Sequence, residues 1–299
     1  MPSLDTVPII TAAGLLTCLL VVPAVQAGPT ITLIGDDVRS TVMEYMAAGE
    51  QSEIRHRDGV DELTPVSAGV TLRNLAPGSA SIAMADLLLV SDIALIVMDS
   101  TVGPTPVIRE HILIARQARV PMLAVLVSNV ARLHARAPAE SAEILAVEIE
   151  AVRGLLSAYD FDAKSVRVYY DAPVPEPVEG VAAFGNREAL RALSTFVPRR
   201  VRAADTGPVT EIWSAVYLLT ELETVGAAVS LAPQDSIMVW SEGTHSKATL
   251  SSVSQYHPGD FREMSLTLES PVSGKEGSRI LLVSGERVVG LGAITQIGH

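Results

Sequence analysis

The chain has little of three things: cysteine, aromatic residues and positive charge. Cys18 is the only cysteine in 299 residues, which excludes an intrachain disulfide and a metal site built from several cysteines. Aromatic residues make up 4%, too few to favour a surface that stacks the bases of single-stranded nucleic acid. Lys and Arg number 22 against 34 Asp and Glu. The resulting net charge of −12 disfavours a general nucleic-acid binder, although it leaves room for a local basic patch.

Histidine-based catalytic and metal-binding patterns are also missing from the sequence. The six histidines are scattered without a His-x-x-x-His spacing, and no Gly-x-Ser-x-Gly sequence marks a hydrolase nucleophile. His111 lies on the apolar stripe of a predicted helix, which favours packing over catalysis. We therefore expect neither a metal site nor a serine-hydrolase site in this chain.

Residues 1–28 form an apolar extension whose role has several interpretations. Val7 to Val25 is apolar apart from two threonines and is long enough to span a bilayer. The sequence Ala24-Val25-Gln26-Ala27 is similar to a signal-peptidase site, but no Lys or Arg precedes Arg39. The segment is consistent with a signal peptide or membrane anchor, with a buried helix, or with an upstream start codon. Without such a signal we expect a cytoplasmic protein.

The clearest secondary-structure pattern of the sequence lies between Ile93 and Ser128. Ile93 to Asp99 and Met122 to Val127 are largely apolar and β-prone, as are strands covered on both faces of a parallel sheet. Between them, Thr105 to Arg119 has the apolar periodicity of an amphipathic helix. Strand, helix and strand in this order predict a right-handed crossover within an α/β domain.

Several motifs of this sequence resemble the elongation factor Tu family of translational GTPases. They are DSTVGPTPVIREHILIARQARVP (99–121), LLSAYDF (155–161), AVYLL (215–219), HPGDF (257–261) and ERVVGLGAITQI (286–297). The resemblance implies an α/β domain of the P-loop-NTPase-like type, with a parallel sheet, over residues 29–198. It also implies a linker over 199–209 and a small antiparallel β-barrel over 210–299. The middle barrel of the family has no counterpart here.

The short segments after residue 210 support a barrel independently of the resemblance. Short alternating runs separated by turn residues favour antiparallel strands, and they cover Trp213 to Leu219, Ser236 to Trp240, Glu263 to Leu268, Arg279 to Val283 and Val288 to Ile294. In the α/β domain, Val166 to Tyr170 is predicted to be the last core strand. The polar segment from Arg55 to Glu62 is predicted to be a solvated loop.

The resemblance implies that the phosphate site is degenerate. The family's first strand ends in GxxxxGK[ST], whose backbone N–H groups and lysine hold phosphates. Here Gly35 keeps the first glycine, while Ser40, Thr41 and Val42 replace the second glycine, the lysine and the magnesium-binding hydroxyl. Without these groups, phosphate and magnesium binding lose their main contacts.

Two further loops of the family are also changed in this sequence. Leu75 replaces the aspartate that positions magnesium, Gly78 is retained, and Ser79 replaces the catalytic histidine that positions water. The base-reading Asn-Lys-x-Asp becomes Ser128-Asn129-Val130-Ala131, and Ala131 cannot accept the hydrogen bonds of guanine.

We therefore expect a pseudo-GTPase that serves as a binding or regulatory module linked to translation and needs no cofactor. Its expected partner is a protein of unidentified kind. Binding of tRNA is disfavoured because the family's tRNA-binding stretch is replaced by residues 221–235. An internal contact between the α/β domain and the barrel is expected to persist. Two alternatives remain: an active elongation factor that binds GTP and magnesium through divergent loops, and an exported or membrane-tethered binding module.

Overall fold

The computed structural model describes residues 28–65, 67–174, 181–196, 206–251 and 253–298. The apolar run from Val7 to Val25 and most of the predicted linker, residues 199–205, lie outside the described residues. The described part contains an α/β domain followed by a closed antiparallel barrel, which confirms the predicted fold class. None of its helices is long and apolar enough to cross a membrane.

An eight-stranded sheet forms the centre of the α/β domain, with the strand order β2-β3-β4-β1-β5-β6-β7-β8. Strands β1 and β4 to β8 run parallel, and the β2–β3 hairpin extends one edge in the antiparallel sense. The strands are β1 (Thr30–Gly35), β2 (Arg55–Arg57), β3 (Val60–Leu63), β4 (Thr71–Leu75), β5 (Ile93–Asp99), β6 (Met122–Ser128), β7 (Arg167–Tyr170) and β8 (Val181–Phe184).

Helices cover both faces of the sheet, so the strands are buried as their continuous apolar sequences predict. One apolar cluster contains buried residues of α1 and α6, and the other contains those of α2, α3 and α5. The helices are α1 (Val38–Glu50), α2 (Ser81–Leu89), α3 (Pro106–Gln117), α4 (Val130–Arg136), α5 (Ser141–Ala158) and α6 (Asn186–Ser194).

Local sequence explains the position of α3, which matters most for the site. The Thr105 side chain accepts a hydrogen bond from the Ile108 backbone N–H, and Pro106 occupies the first helical position. Arg116 lies in the last turn, where positive charge favours the helix dipole. Ile108 and Ile112 are fully buried, so this face of α3 packs on the apolar core.

Two predictions about the α/β domain are wrong. The segment from Arg55 to Glu62 is a hairpin rather than a loop, because Asp58 and Gly59 both adopt positive φ angles, which suit a tight turn. Strand β7 is not the last strand either, since β8 pairs with it in parallel at the edge of the sheet.

Six strands close the barrel in the order β10-β11-β12-β9-β14-β13. Alternate residues of these strands fill its interior, including Ile212, Val239, Met264 and Leu282. The bounds are β9 (Gly207–Leu218), β10 (Ser236–Ser241), β11 (Thr244–Leu250), β12 (Phe261–Gly274), β13 (Arg279–Ser284) and β14 (Arg287–Ile297).

The outside of the barrel packs against α2 and α3. The apolar cluster around these helices also contains Trp240, Leu281 and Val288 of the barrel, each at most 1% exposed. Three hydrogen bonds join the same surfaces: the Trp240 indole N–H donates to Asp86, and the Gln117 amide donates to the Ile280 and Gly292 carbonyls.

Candidate functional site

The candidate site lies at the carboxyl ends of the parallel strands, where α/β folds commonly bind ligands. Only Asp36 and Asp37 separate the end of β1 from the start of α1. Gly35 adopts a φ of +100°, and a Cβ atom there would lie 2.4 Å from the Val97 carbonyl oxygen. Glycine is therefore required at this position by the backbone turn and by the close approach to β5.

The residues predicted to replace the phosphate-binding loop lie in a helix instead. Ser40, Thr41 and Val42 all belong to the first turns of α1. Val42 is 1% exposed and packs in the core, whereas the Thr41 side chain faces solvent. The Ser40 hydroxyl accepts a hydrogen bond of 3.2 Å from the Asn74 side-chain amide. An open loop that could wrap a phosphate is therefore not formed between β1 and α1.

Three backbone N–H groups at this turn donate to atoms of the protein itself. The Asp36 N–H donates to the Val97 carbonyl at 3.0 Å, the Arg39 N–H to the Asp36 carbonyl at 3.0 Å, and the Ser40 N–H to the Asp37 carbonyl at 3.2 Å. A phosphate cradle depends on several such groups pointing together at an anion. Here the Asp36, Arg39 and Ser40 N–H groups are engaged in closing the turn.

The Arg39 side chain fills the space between β1 and β4 and is 2% exposed. Its guanidinium donates to the Asn74 side-chain oxygen at 3.0 Å, the Gly35 carbonyl at 2.9 Å and the Leu75 carbonyl at 3.3 Å. It also lies 3.3 Å from the Asp37 carboxylate. Burial lowers the pKa of Arg39 from its ordinary value, and these acceptors compensate for lost hydration.

His111 of α3 closes the other side of the same turn. Its Nδ1 accepts a hydrogen bond of 2.8 Å from the Gly35 N–H. Burial, with the Arg39 charge as a smaller contribution, lowers the pKa of His111 to about 3. The ring is thus neutral at pH 7, with Nδ1 as the acceptor, and it orients the end of β1.

Asp36 links β1 to β5 and to α3 through its carboxylate. It accepts hydrogen bonds from the Asp99 N–H at 3.0 Å and from the Thr105 hydroxyl. Burial is the main reason that the pKa of Asp36 is raised, while the two hydrogen bonds act in the opposite direction. Asp99 in turn accepts from the Thr101 N–H at 2.8 Å and from the Asn129 side chain at 2.9 Å. The carboxylates therefore hold neighbouring loops together.

Asp171, just after β7, organises the segment predicted to replace the base-reading motif. Its carboxylate accepts from the Asn129 N–H at 2.7 Å, the Val130 N–H at 3.2 Å and the Ser128 hydroxyl at 3.2 Å. It thereby supplies the N-terminal hydrogen bonds of α4. Ala131 lies on the exposed side of that helix, away from these contacts.

The loop containing Leu75, Gly78 and Ser79 borders a cavity of about 200 Å³ between the α/β domain and the barrel. Leu75 is 4% exposed at the end of β4, and Gly78 adopts a φ of +78°. The Ser79 hydroxyl donates to the Ala76 carbonyl at 2.7 Å within the loop. Ser79 is thus exposed, and its hydroxyl is bonded within its own loop. Arg39, Glu110, His111 and Arg287 are among the residues that line the cavity.

Of the predicted site residues, Gly35, Ser128 and Asn129 lie together at the carboxyl edge of the sheet, where Asp36 and Asp99 connect the neighbouring loops. Thr41 and Ala131 face solvent away from this edge. Sequence reasoning missed the roles of Arg39, Asn74, Asp99, Asp171 and Glu148. For Arg39 a signal exists, because Val38, Val42 and Met46 have the spacing of one helix face and place the helix start before position 39.

Glu148 of α5 is the most perturbed carboxyl near this edge. Burial and the nearby Asp99 carboxylate raise its pKa to about 7. Its Oε2 atom is buried without a hydrogen-bond partner, and its carboxyl packs beside Gly103. Within the described residues, no group of three or more His, Cys, Asp or Glu side chains is arranged to hold a metal ion.

No protein-family model matches the chain. The elongation factor Tu resemblance therefore rests on the motifs quoted above. The architecture agrees with it at the level of the fold, which consists of a mostly parallel α/β sheet followed by a six-stranded antiparallel barrel.

Proposed function

We propose that this chain is a pseudo-GTPase of the elongation factor Tu type that acts as a nucleotide-independent binding module linked to translation. In this proposal its surface binds a protein partner, and the carboxyl edge of its sheet has a structural role. The motif resemblance supports the connection with translation. The chemistry of the edge supports the loss of nucleotide binding.

The buried Arg39 guanidinium is the observation that carries this proposal. It lies between the ends of β1 and β4 and donates to Gly35, Asn74 and Leu75. A nucleotide phosphate would need this space and would also need free N–H groups, but the turn is only two residues long. Asp36 and Asp37 add negative charge to the same turn, which opposes an anion.

Loss of base recognition follows from separate residues. The position that would read guanine is Ala131, which has no side-chain acceptor and faces solvent. Ser128 and the Asn129 backbone are bonded to Asp171 instead. A guanine base placed here would leave its N1–H and amino group without the paired acceptor that gives selectivity.

Isothermal titration calorimetry with GTP and GDP, each with excess magnesium, tests the proposal directly. We expect no saturable heat up to about 1 mM nucleotide, a limit that corresponds to a binding free energy weaker than about −4 kcal/mol. A thermal melt in 1 mM nucleotide provides a second readout. A ligand with a dissociation constant of about 10 μM would stabilise the fold by about 2.7 kcal/mol.

The outcome that would overturn the proposal is micromolar, magnesium-dependent binding of GTP or GDP with a matching rise in melting temperature. Binding of ATP with the same strength would also count against it, because any tight phosphate site contradicts the closed turn. The matched variant is Arg39→Ala, which empties the space without adding a lysine. It is expected to stay nucleotide-free, because three backbone N–H groups of the turn remain engaged and the Asp36 and Asp37 carboxylates still oppose an anion.

A further inference from the structure

Two consecutive residues of α3 contact two different parts of the molecule. Glu110 is 4% exposed and faces the barrel, where its Oε1 atom accepts a hydrogen bond of 3.2 Å from the Val288 N–H. His111 faces the sheet, where its Nδ1 accepts from the Gly35 N–H at 2.8 Å. One turn of helix therefore connects the docked barrel with the closed β1–α1 turn.

Ser81, the first residue of α2, completes the contact on the barrel side. Its hydroxyl donates to Glu110 Oε1 at 2.6 Å, and its N–H donates to the Glu286 carbonyl at 2.8 Å. The hydroxyl also lies 2.9 Å from that carbonyl. Ser81 directly follows the loop from Ala76 to Ala80, so the barrel fixes the end of this loop. We call Ser81, Glu110, Glu286 and Val288 the latch.

We propose that the latch couples docking of the barrel to closure of the carboxyl edge, so that each arrangement stabilises the other without a bound ligand. The path runs from Val288 through Glu110 and the adjacent His111 to Gly35. A second path runs from Glu286 through Ser81 and the loop to Leu75, whose carbonyl accepts from Arg39. This inference concerns the chain alone and does not depend on the proposed function.

The physical basis is the cost of leaving buried polar groups without partners. A shift of the barrel too small to admit water would leave the Glu110 carboxylate without the Val288 N–H donor and the Ser81 N–H without the Glu286 carbonyl acceptor, inside a largely apolar interface. Movement of α3 that relieved this cost would displace His111 from Gly35. Because packed cores prefer discrete arrangements, a change at one end is transmitted to the other.

Contacts outside the latch keep the barrel attached when the latch is weakened. The Trp240 indole bonds Asp86 at 2.7 Å, and the Gln117 amide bonds the Ile280 carbonyl at 3.0 Å. A latch variant is therefore expected to remain folded, with a local change in opening rather than separation of the domains.

Amide hydrogen exchange of the full chain, followed by mass spectrometry, tests the coupling. The variants are Glu110→Met, which keeps a similar length but removes both acceptor oxygens, and Ser81→Ala, which removes only a hydroxyl. Glu263→Gln on the barrel surface is the matched control, since its carboxylate is bonded to the exposed Thr295 side chain. We expect exchange to rise by about tenfold in residues 286–289, 78–84 and 35–41 of both latch variants, and to be unchanged in the control.

Faster exchange only in residues 286–289 and 78–84, with residues 35–41 unchanged, would overturn the coupling, because the edge would then close by itself. If exchange rises uniformly over the whole chain in Glu110→Met, that variant is globally destabilised, and the milder Ser81→Ala decides the test. An unchanged pattern in Ser81→Ala would also overturn it. A GTP-binding result in calorimetry would refute the proposed function and leave this exchange pattern unaffected.

Discussion

At the scale of single residues, Arg39 makes several of the contacts that hold the carboxyl edge closed. It supplies side-chain donors to Gly35, Asn74 and Leu75 from a position that is 2% exposed. Such a group stabilises a fold only while its partners are complete, because a buried acceptor without a donor is costly. Its removal is therefore informative about the edge as a whole.

We expect Arg39→Met to lower the free energy of unfolding by about 2 to 4 kcal/mol, because three buried acceptors lose their donor. Urea denaturation at pH 7 measures this change. The control is Arg57→Met, since the Arg57 side chain is 88% exposed and pairs with the exposed Asp58. Its effect should stay within about 0.5 kcal/mol. Equal effects in both variants would show that Arg39 does not hold the edge.

Glu148 makes the stability of the folded protein depend on pH. Its pKa is raised to about 7 by burial and by Asp99, above the ordinary value of 4.5. The folded protein therefore holds a proton on Glu148 that the unfolded chain releases between these pH values. Stability from this group is full below about pH 4.5 and is lost as the pH rises to about 7.

We expect Glu148→Gln to be more stable than the parent at pH 8 by roughly 1 to 2 kcal/mol, after allowing for the partial exposure of the side chain. At pH 4.5 the two should be equal within error. Urea midpoints at both pH values measure the difference. Glu150→Gln, an exposed position on the same helix, should show no such dependence. A pH-independent difference between Glu148→Gln and the parent would contradict the assignment.

At the scale of elements, the strongly periodic segments were predictable and the short polar ones were not. Helix α3 lies within two residues of its predicted ends, because an apolar stripe and flanking residues define it. Strand β11 was missed, since its inward-facing residues include the small Ser246 and Ala248, which carry little apolar signal. Periodicity identifies an element only when its buried face is large and apolar.

The lost groups of the candidate site stay a prediction from the motif resemblance, in which Thr41 stands at the lysine position and Ala131 at the position of the base-reading acid. The new contacts could not be predicted from the sequence. The bonds of Asp99 and Asp171 join strands that are distant along the chain, and their register is set by the folded sheet. Long-range side-chain contacts of this kind depend on tertiary structure rather than on local pattern.

Asp171 makes a prediction for one element, the short helix α4. Because its carboxylate accepts from the first N–H groups of α4, Asp171→Ala should destabilise the protein by about 1 to 2 kcal/mol. The loss should concentrate in α4, as faster hydrogen exchange of residues 129–134. Asp162→Ala is the control, since Asp162 bonds Ser165 through its backbone carbonyl. Slow exchange in α4 of Asp171→Ala would contradict the capping role.

At the scale of the whole molecule, we infer that the described part of the chain unfolds as one cooperative unit. One apolar cluster contains residues of α2 and α3 together with residues of β10, β13 and β14. The covered surface includes the buried indole of Trp240 and its bond to Asp86. Separation of the barrel would expose this surface to water, which favours joint unfolding.

The positions of helices and tryptophans make that cooperativity measurable with two independent signals. All described helices lie in the α/β domain, whereas both tryptophans of the sequence, Trp213 and Trp240, lie in the barrel. Circular dichroism at the helical band thus reports one domain, and tryptophan fluorescence reports the other. We expect the two urea transitions of the full chain to coincide in midpoint, as a two-state unit requires.

Trp240→Phe tests the interface behind this expectation while Trp213 remains as the fluorescent reporter. Loss of the bond to the Asp86 carboxylate should lower stability by about 1.5 to 3 kcal/mol with both transitions still coincident. In a double-mutant cycle with Asp86→Ala, the combined loss should be smaller than the sum by about 1 kcal/mol, because both changes remove the same contact. Separate transitions in the parent chain would show that the two domains unfold independently. Strict additivity in the cycle would show that the bond between Trp240 and Asp86 does not contribute to stability.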